Sequence, residues 1–165
     1  MILYLDTSAM VKLYAIEEHR DEVVRAVEEA AVVTSSLLCY PETRAAFARK
    51  EREGKWSGAQ HDRATADFEA DLTGYVLGDV TPEIAAHAAE LARPHRLKAY
   101  DAVHLATALA ARGVLEEAYP RTHGEVPGLM FLTYDGTLGE AARGLGLATG
   151  PGSARNADRG TDQGA

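Results

Sequence analysis

Residues Ile2 to Leu5 form an apolar run without alternation, followed at once by Asp6, Thr7 and Ser8. An unalternated run predicts a strand buried on both faces, and the polar triplet predicts the start of a helix with Ala9 to Tyr14 as its body. The pattern returns at Ala31 to Thr34, which ends in the hydroxyls of Ser35 and Ser36, and at Leu129 to Thr133. Between these runs the apolar period changes to that of helices. Glu17 to Ala30 reads as an acidic amphipathic helix, Leu37 to Glu53 as a helix carrying Glu42 near its start, and Ser57 to Leu72 as a third after the breaks at Gly54 and Gly58. Thr81 caps a helix with Pro82 in its first turn, and Pro94 is expected to stop it near Arg93. Ala99 to Arg112 has an apolar face of Val103, Leu105, Ala106 and Leu109, with Gly113 as the expected stop. Tyr75 to Leu77 and Leu145 to Ala148 are short strand candidates around a last helix, Thr137 to Arg143. Pro41, beside Glu42, requires either a helix start near Cys39 or a kink.

Strands alternating with helices predict an α/β fold, a parallel sheet covered on both faces. No internal repeat interrupts it. The stretch Val114 to Gly128, with Pro120, Gly124, Pro127 and Gly128, is a long connection and is expected at the sheet edge away from the acidic residues discussed next. After Gly150 the hydrophobic period is lost, which divides the chain into a domain over 1–149 and a disordered tail over 150–165.

Ligands of open parallel sheets bind beyond the carboxyl ends of the strands. Asp6 ends the first strand, and Asp135 lies just past the strand that ends at Thr133. Glu42 sits in the helix leaving the second strand. Asp101 opens a helix that runs antiparallel to the strand it feeds, so it starts from the same edge. Each acid has a purely structural alternative: Asp6 as a helix cap worth about 1 kcal/mol, Asp101 as a favourable charge at a helix N-terminus, Asp135-Gly136 as a turn, Glu42 as a solvated helix residue. Together they crowd four carboxylates at one edge. Such groups repel and raise one another's pKa, so the cluster needs protons or a cation, and hard oxygen donors select Mg2+, Mn2+ or Ca2+ over zinc.

The totals narrow the picture. At 165 residues, with 46% hydrophobic and 25% charged residues, the composition is that of one soluble globular domain. The net charge of −8 excludes a broad phosphate-neutralising surface. Met1 to Asp6 has no basic segment typical of a secretion signal, and no stretch nears the roughly 20 apolar residues of a membrane span, so a cytoplasmic location is expected. Cys39 has no partner in the chain and reads as a small buried hydrophobe. The histidines make no zinc-binding spacing, and His104 reads as a packed helix residue. Tyr4, Tyr14 and Tyr100 read as packing groups. Arg44, Arg49, Lys50, Arg52 and Lys55 give one helix a basic side, which reads as a solvated face with Glu51 and Lys55 at supportive spacing. Arg96 and Lys98, just before Asp101, are better placed for a phosphate.

Four segments in order carry a family resemblance: Asp6 to Tyr14, Ser35-Ser36 with Glu42, Asp101 to Ala108, and Leu132 to Leu138. Over nearly all of residues 2 to 148 the chain resembles PIN-domain ribonucleases, specifically the VapC-like toxins of type II toxin–antitoxin pairs. That resemblance implies a three-layer α/β/α fold with a five-stranded parallel sheet. It implies an endoribonuclease in which Asp6, Glu42, Asp101 and Asp135 are the catalytic acids and hold Mg2+ or Mn2+, leaving a 5′-phosphate and a 3′-hydroxyl. Thr7, Ser8 and Thr133 would orient the carboxylates or water. It further implies an RNA substrate, a small antitoxin partner that covers or enters the acidic site, and a homodimer, and it offers the basic side formed by Arg44, Arg49, Lys50, Arg52 and Lys55 as a contact with RNA or a second subunit. Pro41, the 114–128 stretch and the polar tail depart from the common pattern.

Other classes fit less well. A phosphoacceptor receiver needs paired acids at the end of the first strand and a late lysine, neither of which is found. A haloacid-dehalogenase-type phosphatase needs Asp-x-Asp where this chain has Asp6-Thr7-Ser8. A stand-alone PIN nuclease and a non-catalytic PIN-like binding module remain the alternatives, and metal-dependent RNA cleavage separates the second from the rest.

Overall fold

The computed structural model of the chain describes residues 1–118 and 128–150. Its strands are β1 (Ile2–Leu5), β2 (Val32–Ser36), β3 (Val76–Gly78), β4 (Leu129–Leu132) and β5 (Ala148–Thr149), and its helices α1 (Thr7–Tyr14), α2 (Arg20–Glu29), α3 (Cys39–Arg52), α4 (Gly58–Leu72), α5 (Pro82–His95), α6 (Ala99–Ala118) and α7 (Gly136–Gly144). The strands form one parallel sheet in the order β3-β2-β1-β4-β5. β1 is central: Tyr4 is in register with Thr34 on one side and Phe131 on the other.

A strand sends successive side chains to opposite faces. Leu3 and Leu5 pack with Met10, Val23, Phe47 and Phe68 from α1–α4. Tyr4 and Phe131 pack on the opposite face with Leu91, Leu105 and Leu138 from α5–α7. Both faces are dry, which is why Ile2 to Leu5 shows no alternation. The result is the expected three-layer α/β/α fold. The chain steps from β1 to β3 under α1–α4, then returns across the other face through α5 and α6 to β4. The direction of travel reverses between β1 and β4, where a doubly wound sheet opens a cleft at its carboxyl edge.

Several boundaries differ from the sequence reading. Pro41 is the third residue of α3, where no intrahelical N–H is needed, and the helix starts at Cys39 without breaking; the Glu42 N–H is already bonded to the Leu38 carbonyl at 3.3 Å. Pro94 does not stop α5 at Arg93. The helix runs to His95, and Arg96 closes it in the left-handed region at φ 55°. Gly113 is not a stop either, because Leu115 extends the apolar face of α6 onto the core and the helix continues to Ala118. α2 starts at Arg20, not Glu17, because His19 just before it turns the backbone into the left-handed region at φ 69°. β2 includes Ser35, whose hydroxyl donates to the Leu5 carbonyl at 2.7 Å, and β5 begins only at Ala148.

Val114 to Ala118 thus belongs to α6, and Gly128 enters β4 at the amino edge, its carbonyl accepting the Ile2 N–H at 2.9 Å. The rest of the expected long connection, 119–127, and the tail over 151–165 lie outside the described residues. Among the described residues no helix is long and apolar enough to cross a membrane.

Candidate active site

Asp6 is both the first residue beyond β1 and the N-cap of α1. Its Oδ1 accepts the Ala9 N–H at 2.9 Å and the Ser8 hydroxyl at 2.8 Å, and its Oδ2 accepts the Thr133 hydroxyl at 2.8 Å. The Ser8 oxygen in turn accepts the Tyr134 N–H at 2.8 Å, which ties the end of β1 to the end of β4. Asp6 is buried. Burial pushes its carboxyl above the usual range; the nearby His104 ring and the bonds from Ala9, Thr133 and Ser8 oppose this without reversing it.

Asp135 caps α7, its Oδ1 accepting the Leu138 N–H at 2.9 Å, while its own N–H donates to the Thr133 hydroxyl at 3.1 Å. One hydroxyl, Thr133, therefore fixes two acids. Glu42 sits in the first turn of α3 and reaches across to α1 and α6: its Oε2 accepts the Thr7 hydroxyl at 2.6 Å and lies 2.9 Å from His104 Nε2. Burial alone would raise the Glu42 carboxyl, but the bonds from His104 and Thr7 and the nearness of the His104 ring outweigh it and hold the group below the usual range.

Asp101, in the first turn of α6, has no hydrogen bond or ion pair among the described residues. Burial and then the charge of Asp135 push its carboxyl up, with Asp6 and Glu42 adding to the effect and Lys98 opposing it. All four predicted acids line one cleft of about 530 Å3, together with Thr7, Ser8 and Lys98. Arg96 is not among its lining residues. Among the described residues, no three carboxylate, imidazole or thiol side chains close on one point tightly enough to form a ready-made metal site.

The cleft also contains cationic groups that the sequence did not place there. Lys12 and Lys50 line it and share Glu17, at 3.4 Å and 2.8 Å. Lys12 lies 4.8 Å over the Tyr134 ring. Arg49 lines the same wall, so part of the basic side of α3 faces the cleft, whereas Arg44 pairs with Glu69 and Lys55 with Glu53. His104 is buried as expected, but as part of a polar network and not by apolar packing alone. Its position one helical turn after Asp101 was the available signal, since residues three apart share a helix face.

Fold and site together define a three-layer α/β/α protein with a carboxylate-lined cleft at the point where the order of its parallel strands reverses. The PIN domain family matches residues 3–116, and the chain belongs to that family. It is 32% identical over 150 residues to Ribonuclease VapC45 of Mycobacterium tuberculosis, covering 91% of this chain and 95% of that protein. Its fold is similar to that of VapBC2 from Rickettsia felis bound to a DNA fragment from their promoter, with a TM-score of 0.58, 12% identity and coverage of 91% of this chain and 98% of the other. It is similar also to a toxin–antitoxin complex from Klebsiella pneumoniae, with a TM-score of 0.53, 18% identity and coverage of 81% and 86%.

Proposed function

We propose that the chain is an endoribonuclease that hydrolyses RNA phosphodiester bonds with Mg2+ or Mn2+, and that it acts as the toxin of a toxin–antitoxin pair. The observation that carries this reading is Asp101: a carboxylate with no protein partner among the described residues, facing three other acids that raise its affinity for a proton. Crowded carboxylates of this kind are relieved by a cation. The donors suit a hard one. Asp6 receives three donors for its four lone-pair sites, Glu42 has Oε1 uncommitted, and both oxygens of Asp101 are open. Asp6, Glu42, Asp101 and Asp135 would hold the ion. When bound, it supplies charge neutralisation and a lower pKa for the attacking water.

The rest falls to the protein. Ser8, Thr133 and the Ala9 N–H hold Asp6, Thr7 and His104 hold Glu42, and Leu138 holds Asp135, so three of the four acids are fixed before substrate arrives. Lys98, Lys12 and Lys50 at the cleft wall receive the phosphates on either side of the scissile one, with Arg96, exposed beside Lys98, as an outer contact. A water oxygen bonds to phosphorus as the P–O3′ bond breaks; the proton lost by the water and the proton gained by the 3′-oxygen balance, leaving a 5′-phosphate and a 3′-hydroxyl.

The likeness to a toxin–antitoxin complex supports a protein partner for this chain, and an acidic cleft suits a partner with a cationic side chain entering it. A homodimer and a cytoplasmic location complete the reading. The test is RNA cleavage by the purified chain with and without EDTA, and by Asp101→Asn. Asp101 makes no structural bond, so D101N keeps its fold and loses more than the roughly 10–100-fold that removal of an outer partner costs. Cleavage that survives EDTA, or that D101N performs at the wild-type rate, overturns the reading.

A further inference from the structure

His104 is 2% exposed, and a buried imidazole is costly unless both nitrogens have partners. Its Nε2 lies 2.9 Å from Glu42 Oε2 and 3.1 Å from Thr7 Oγ1, and its Nδ1 lies 3.1 Å from the Tyr4 hydroxyl. The direction of each bond follows from chemistry. An ionised carboxylate only accepts, so Nε2 carries hydrogen and donates to Glu42. The Thr7 hydroxyl spends its hydrogen on the same Oε2, so toward His104 its oxygen accepts. With its hydrogen on Nε2, the ring has Nδ1 left as an acceptor, and the Tyr4 hydroxyl donates to it. Tyr4 is itself immobile. It belongs to the central strand, is fully buried, stacks on Phe131 at 5.2 Å and meets the His104 ring edge-on at 6.1 Å.

We infer that His104 is the positioning residue of Glu42, a clamp anchored on Tyr4 that ties down Oε2 and leaves Oε1 as the single oxygen Glu42 can offer a cation, and that this clamp biases the cleft toward Mg2+ and Mn2+ over Ca2+. The selectivity follows from coordination. Ca2+ takes six to eight oxygens and commonly draws two from one carboxylate, whereas Mg2+ accepts an octahedral set of single oxygens and keeps several waters. A carboxylate whose second oxygen already receives two hydrogen bonds cannot rotate into the bidentate position without breaking both. Outer partners of this kind fix the orientation of a ligand and are worth about 10–100-fold in metal affinity. The inference rests on the reading of the cleft as a cation site.

The experiment has two arms that fail separately. In the first, long-range proton–nitrogen NMR of histidine-labelled protein at mildly alkaline pH reports the tautomer of His104 without any metal. The Nε2–H form is expected; the Nδ1–H form overturns the clamp. In the second, calorimetry measures Mn2+ and Ca2+ affinity for the wild type, His104→Gln, which keeps a donor near the Nε2 position, and His104→Leu, which removes it. Wild type and H104Q are expected to prefer Mn2+, and H104L to narrow the Mn2+-to-Ca2+ ratio by about tenfold or more. A ratio unchanged in H104L overturns the inference, and so does an H104Q that behaves like H104L. Should H104L fail to fold, Tyr4→Phe, which removes the anchor but no cleft group, must shift the ratio in the same direction; no shift overturns the inference. No divalent binding by the wild type, with the Nε2–H tautomer intact, sinks the cation site and the selectivity with it but leaves the geometry of the clamp standing.

Discussion

Asp101 and Glu42 line the same cleft, yet their surroundings drive them apart. Glu42 is held below the usual carboxylate range by hydrogen bonds from His104 and Thr7 and the nearness of the His104 ring, which together outweigh burial, while Asp101 has burial and three like charges against it and only Lys98 in its favour. The consequence for stability has a definite sign. A carboxyl whose folded pKa lies above its unfolded value lets the folded state bind more protons, so its ionisation weakens the fold as pH rises from about 3.8 through the raised value. In EDTA, D101N should therefore melt higher than the wild type at neutral pH, with the gap closing as pH falls below that window. Calorimetry across pH decides it, and an equal or lower melting temperature at neutral pH contradicts the crowding. Asp6 is the less clean probe, because it also caps α1 and its replacement by Ala removes a cap worth about 1 kcal/mol. Asp6, Asp101 and Asp135 could be picked out in the sequence because each lies at the end of a strongly patterned strand or the start of such a helix. His104 could not, because its partners Tyr4 and Glu42 lie 100 and 62 residues away and an isolated histidine in an apolar helix looks like packing.

At the scale of elements, the strands and most helices were legible because burial on both faces of the sheet leaves unalternated runs, and the errors concentrate where local breakers were overruled. Gly113 shows the rule. Its backbone stays helical because Leu115 beyond it has core to cover, and a Cβ built there meets nothing within 4 Å. Gly113→Ala should therefore stabilise the chain by about 0.5–1 kcal/mol in urea unfolding, where a true left-handed stop would be destabilised instead. Helix α4 depends more on its start than on its interior. Ser57 and Gln60 form a reciprocal capping box, so Ser57→Ala should cost about 1 kcal/mol. Gly78 marks where β3 approaches α6. A Cβ there would lie 2.7 Å from the Thr107 methyl, so Gly78→Ala should cost about 1–3 kcal/mol by the same measurement, a close approach that nothing in the local sequence announces.

For the molecule as a whole, the net charge of −8 and the cleft cations act in opposition. Lys12 and Lys50 are 14% and 18% exposed and both lean on Glu17, so the wall of the cleft carries two ammonium groups for one local carboxylate. RNA affinity should consequently show a shallow salt dependence, with a slope of about −0.7 for each phosphate contacted on a single strand. Lys50→Gln should flatten that slope by about one such contact while the melting temperature stays nearly constant; a slope unchanged from wild type would place the RNA elsewhere. Lys50 stood out in the sequence only as part of a basic helix side and Lys12 not at all, since α1 and α3 bring them together only once both helices pack on the sheet.

The strand order also sets when the site comes into being as the chain is made. β1 gains its first neighbour, β2, about thirty residues after it is synthesised, but its other edge stays open until β4 arrives. The Thr133 hydroxyl that fixes Asp6 comes from 127 residues further along. A ribosome part-way through this message therefore carries Asp6, Glu42 and Asp101 without the strand that completes their cleft. Synthesis itself delays the assembly of the finished cleft, and a message cut before β4 yields a chain whose central strand has one edge open, a substrate for proteolysis and not a working site.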